Sequence, residues 1–152
     1  MKTIKLRSIV VGIFSLLFVV SCSEDGDDPT NNPQSTVQSN VQSGTWRITK
    51  FIDSGTDETN HFTGYNFTFN SSGVLNANNG TNNYDGTWSI TGSNSNDDSQ
   101  DDLDFNINFN LTNDFEDLND DWDFISQSST KIELIDVSGG NGGTDYLTFQ
   151  KN

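Results

Sequence analysis

Leu103-Asp104-Phe105-Asn106-Ile107-Asn108-Phe109-Asn110-Leu111 alternates apolar and polar residues without a break. Successive side chains of a strand point to opposite faces, so this run makes one apolar and one wet face and fits no helix. Tyr65-Asn66-Phe67-Thr68-Phe69-Asn70 repeats the pattern. Trp46-Arg47-Ile48, Gly86-Thr87-Trp88-Ser89-Ile90, Lys131 to Val137 and Tyr146-Leu147-Thr148-Phe149 read the same way, with shorter candidates at Val74 to Ala77 and Trp122 to Ser126. Eight strands are predicted, and the domain is all-β.

Between the strands lie Ser71-Ser72-Gly73, Asn78-Asn79-Gly80 and the run Ser138 to Gly143, residues that accept the positive φ of tight hairpins. The Ser138 to Gly143 run has no lysine at phosphate-loop spacing and no helix after it to hold a phosphate, so it too is a hairpin. Asn113-Asp114-Phe115-Glu116-Asp117-Leu118 departs from period two. Its apolar residues are three apart and its carboxylates come early, which predicts one short helical turn. Consecutive hairpins imply an up-and-down antiparallel meander, and closing it into a barrel removes the exposed edges. A two-sheet β-sandwich is the alternative.

The N-terminus is built differently. Lys2, Lys5 and Arg7 precede an almost wholly apolar Ile9 to Val20, with Ser21 just before the only cysteine, Cys22. A basic segment, a short apolar segment and a small residue form a secretory signal, and the apolar run is too short to span a bilayer. Val19-Val20-Ser21-Cys22 resembles the lipobox of bacterial lipoproteins. That resemblance implies cleavage after residue 21 and a lipid on Cys22, which also accounts for an unpaired cysteine in an exported protein. Ser23-Glu24-Asp25-Gly26-Asp27-Asp28 is similar to the surface-export signal of Bacteroidota lipoproteins, which implies the outer membrane and its exposed face. As plain chemistry, the same run is a solvated acidic tether.

The full chain has 7 basic and 22 acidic residues. Loss of Lys2, Lys5 and Arg7 with the signal leaves 4 basic residues and a net charge of −18. Such a chain repels nucleic acid and is expected to stay monomeric. Residues 22–43 hold Pro29 and Pro33 among polar residues and are expected to be a disordered tether. Residues 44–152 then form a single domain.

Gly44-Thr45-Trp46 at the first strand resembles the Gly-x-Trp that opens lipocalins. The order of Gly44-Thr45-Trp46, Tyr65 to Phe69, Ser72-Gly73 and Gly86 to Ile90 is similar to lipocalin-like domains of Bacteroidota lipoproteins. The resemblance implies an eight-stranded barrel whose Trp46 closes one end and whose interior takes a small apolar ligand. The chain is shorter than true lipocalins and lacks their disulfide and long C-terminal helix.

Signs of catalysis are sparse. His61 is the only histidine, no Gly-x-Ser-x-Gly elbow is present, and one histidine without a free cysteine makes a poor zinc set. His61 reads as a loop residue, and neither an enzyme nor a cofactor is expected. The acidic runs at Asn94 to Asp102 and Asp114 to Asp123 offer oxygens to calcium but lack the EF-hand spacing, so solvated loops are expected. Aromatic residues are the remaining signal. Trp46 is expected to close the barrel floor and Phe67, Phe69, Phe105, Ile107 and Phe109 to line the interior, and these six are the expected ligand-binding residues. An eight-stranded barrel is wide enough either to be filled by side chains or to hold one small ligand. A lipid-anchored carrier is the first expectation. A solid surface interaction protein is the second.

Overall fold

The computed structural model describes residues 33–92, 103–138 and 143–152. Cys22, the signal segment, the acidic run at 94–102 and residues 139–142 lie outside the described residues. In chain order the elements are α1 (Pro33–Gln42), β1 (Trp46–Asp53), β2 (Thr56–Asp57), β3 (Asn66–Phe69), β4 (Val74–Asn78), β5 (Asn83–Gly92), β6 (Leu103–Asn108), β7 (Asp120–Gln127), β8 (Lys131–Val137) and β9 (Thr144–Lys151). Single 3-10 turns stand at Thr59–Phe62 and Glu116–Leu118.

From β3 to β9 every strand pairs antiparallel with the next. β1 then pairs with β9 from Trp46↔Lys151 to Ile52↔Tyr146, and with β3 at Trp46↔Phe67. These two seams close an eight-stranded antiparallel up-and-down barrel, and a sandwich is excluded. Among the described residues there is one more strand than the sequence predicts. β2 is only two residues long and folds back on β1 through Ser54 and Gly55, whose φ of +47° and +87° suit a tight hairpin. Bulges at Thr49 in β1 and Ile125 in β7 bend those strands to the barrel's curvature.

The tether ends earlier than expected, because residues 33–42 form a helix and not a disordered link. Its sequence, PQSTVQSNVQ, is a weak helix former in isolation. Pro33 at the first position presets φ, and Val37 and Val41, four apart, share one face. That face is buried on one end of the barrel, at 2 % and 0 % exposure. Gly44, at φ +83°, then turns the chain into β1.

β6 is also shorter than its alternation predicts and stops at Asn108. Beyond it, the Asn119 carboxamide accepts from the Phe109 amide and donates to the Phe109 carbonyl at 3.0 Å, standing in for a paired strand.

Candidate functional site

Trp46, Phe67, Phe69, Phe105, Ile107 and Phe109 are all buried and belong to the apolar core. Phe69 is central. Its ring lies 5.4 Å from Trp88, 5.5 Å from Phe105 and 5.5 Å from Phe149, each near perpendicular. Phe67 meets Phe149 at 5.4 Å, Phe105 meets Phe124 at 5.7 Å, and Phe109 meets Phe115 at 5.0 Å. Ile107 packs behind them, opposite Trp88 across β5 and β6. At these centroid spacings and steep interplanar angles the pairs are edge-to-face contacts, so rings from different strands meet inside the barrel.

Both ends of the barrel are covered. At the α1 end, the Trp46 indole Nε1 donates to the Val41 carbonyl at 2.9 Å, and the Lys151 ammonium sits 4.9 Å over the same ring. Gln34 donates to the Ile90 carbonyl and Asn40 to Gln127, which ties the helix across the opening. At the opposite end the two 3-10 turns bring Phe62, Phe115 and Leu118 inward. Phe115 contacts Phe62 at 5.4 Å, Tyr65 at 5.0 Å and Tyr84 at 4.9 Å. Trp122 Nε1 donates to the Leu118 carbonyl at 3.1 Å and fixes this second plug. The role of Phe62 and Phe115 as a plug was hidden in the sequence, because both lie in loops outside the period-two pattern.

Acids gather at this second end. Burial pushes the Asp120 carboxyl up to about 6, with Asp121 and Asp136 adding to the effect against the hydrogen bond Asp120 accepts from the Asp121 amide. Asp117 is raised by burial and then by Asp53, Asp114 and Glu116. His61 Nδ1 lies 3.9 Å from Glu58 and 4.0 Å from Asp114, at an exposed rim. No hydroxyl nucleophile is hydrogen-bonded to it among the described residues, and no three of His, Cys, Asp and Glu among them converge as metal ligands.

The outer wall of β3 to β6 is a field of small polar side chains. Asn76 Nδ2 donates to Asn83 at 3.0 Å and Asp85 at 2.7 Å, and Asn78 Nδ2 to Asn83 at 2.7 Å. A depression of about 210 Å³ between β5 and β6 is lined by Thr87, Trp88, Ser89, Asn106, Ile107 and Asn108. The alternation puts the polar four of these outside, so this hollow is separate from the interior.

No family model matches the chain, and no curated protein matches it. Among solved structures, it is similar to a DUF4847 family protein from Bacteroides vulgatus, with 21% identity, a TM-score of 0.49, and coverage of 76% of this chain and 97% of that one.

Proposed function

We propose that this chain is a lipid-anchored outer-membrane protein that works through its outer surface and does not carry a ligand inside. The observation that supports the second half is the ring packing about Phe69, together with plugs at both ends. A carrier needs an apolar void and a mouth. Here Phe115 and Leu118 stand where a mouth would be, at 3 % and 0 % exposure. The first half rests on Val19-Val20-Ser21-Cys22 and the acidic run after it. Several acyl chains anchor firmly at about 0.8 kcal/mol per buried methylene. The tether joins the barrel at α1, so that end would face the membrane.

Two measurements test the reading. Radiolabelled fatty acid should enter the protein and be absent from Cys22→Ser, while the barrel still folds; equal labelling of both removes the anchor. A fluorescent fatty acid titrated into the Cys22→Ser protein should give no saturable signal that unlabelled lipid displaces. A saturable, displaceable signal restores the carrier.

A further inference from the structure

The four basic residues left after loss of the signal are Arg47, Lys50, Lys131 and Lys151, and all four stand on the adjacent strands β1, β8 and β9. The register arranges the outer wall of these strands in rows. Lys131, Gln150 and Arg47 form one row, Glu133, Thr148 and Lys50 the next, and Ile135, Tyr146 and Ile52 the third. Glu133, the only acid in these rows, is bonded by Lys131 and Ser126. Lys50 lies 4.5 Å over the Tyr146 ring.

On the other side of β8 the sign reverses. Asp123 on β7 stands opposite Ile135, Asp104 on β6 stands opposite Asp123, and Asp121 is the next outward residue of β7. Repulsion within this strip shows in Asp104, whose carboxyl is raised by burial and then by Asp123 and Asp121. Two large apolar residues are exposed within the same face, Ile125 at 53 % and Val137 at 63 %. The face therefore runs from acidic through apolar to basic around the barrel. The outer wall of β3 to β5 has no such sequence of properties.

We propose that the outer wall of β7, β8, β9 and β1 is a self-association face on which two copies of this chain pair, the acidic strip of each against the basic strip of the other. A two-fold axis along the barrel puts the left side of one face on the right side of its partner, so a face with opposite charges on its two sides is complementary to itself. An anionic lipid surface would meet the acids together with the bases and gains less. The same axis keeps both α1 ends on one side, as two chains anchored in one membrane require. That point rests on the surface reading proposed above. From Cys22 to Pro33 the chain reaches at most about 40 Å, so neighbours in a membrane meet at a raised effective concentration. The net charge of −18 opposes pairing at a distance. At physiological salt it is screened beyond about 8 Å, and the contacts between strips then decide.

Sedimentation velocity on the Cys22→Ser chain without its signal tests this in solution. The chain should form dimers that increase with concentration. Lys50→Glu with Lys131→Glu, and separately Asp121→Lys with Asp123→Lys, should each weaken pairing by about tenfold or more. An equal mixture of the two variants should recover it, since each supplies the strip the other has reversed. Val137→Asp, at an exposed position, should weaken pairing with no change in melting temperature, which separates loss of the face from loss of the fold. A wild-type chain that is monomeric at every concentration overturns the proposal. So does a mixture that fails to pair, or binding to phosphatidylglycerol vesicles that depends on the basic strip in place of pairing. Retention of an apolar ligand inside the barrel would remove the surface reading while leaving the pairing result as it is.

Discussion

The Trp46 indole donates to the Val41 carbonyl at 2.9 Å, from inside the barrel to the helix that covers it. Trp122 makes the matching bond to Leu118 at 3.1 Å at the other end. Each bond joins a ring of the wall to the segment that closes that end. Both donors are buried, and so are the residues that accept from them, Val41 and Leu118.

Trp46→Phe keeps most of the apolar ring and removes the donor. The Val41 carbonyl is then left without this partner in a buried place, at a cost of about 1–3 kcal/mol. The midpoint of urea denaturation should fall accordingly, and amides of residues 33–42 should exchange with solvent faster than those of β8. Unchanged exchange in the helix would mean that α1 is held by other contacts.

Much of the barrel is legible in the sequence because a wall with one apolar face forces period two. Lys131 to Val137 is a strand with the expected ends, and Phe67, Phe69 and Phe105 face inward as their alternation requires. What escapes is set by tertiary contact. In α1 only Val37 and Val41 carry a helical signal, and Pro33, read as part of a tether, is the helix's first residue. β2 is too short to show a period. Whether the interior is filled depends on Phe62 and Phe115, which come from loops and enter only when the 3-10 turns fold inward. The grouping of Arg47, Lys50 and Lys131 depends on the register of β1, β8 and β9, since the third of them is some eighty residues from the others.

Gly86 marks where the wall and the plug meet. A Cβ there would lie 2.6 Å from the Asn108 carbonyl oxygen and 2.7 Å from the Phe109 ring. Gly86→Ala should therefore overpack this corner and cost about 1–3 kcal/mol. Thermal melting with circular dichroism measures it. A neutral result would show that Phe109 has room to move, and so that the interior near it is loose.

The raised carboxyl of Asp120 gives a pH dependence of definite sign. Its folded value of about 6 exceeds the ordinary 3.8, so protonation favours the fold. The stability it contributes is fully present below the ordinary carboxylate range and is lost as pH rises through about 6. Asp104 and Asp117 shift in the same direction. Asp57 and Glu133 are lowered, the first by its hydrogen bonds from Thr59 and the second by Lys131, and act in the opposite sense. Asp120→Asn isolates the one group. Its urea midpoint should exceed that of the wild type at pH 7 and converge on it near pH 4. A difference independent of pH would contradict the assignment.

Native mass spectrometry tests most directly whether the barrel is filled. The Cys22→Ser chain, freed of its signal, is mixed with a total lipid extract, separated from free lipid and sprayed without detergent. The expected spectrum shows the chain and its dimer, neither carrying a lipid adduct. Phe105→Trp, which adds volume beside Phe69, Trp88 and Phe124, should then destabilise the chain by about 1–3 kcal/mol, as overpacking does. A retained apolar adduct that Phe105→Trp expels at little cost in stability would contradict the filled barrel and restore an interior carrier.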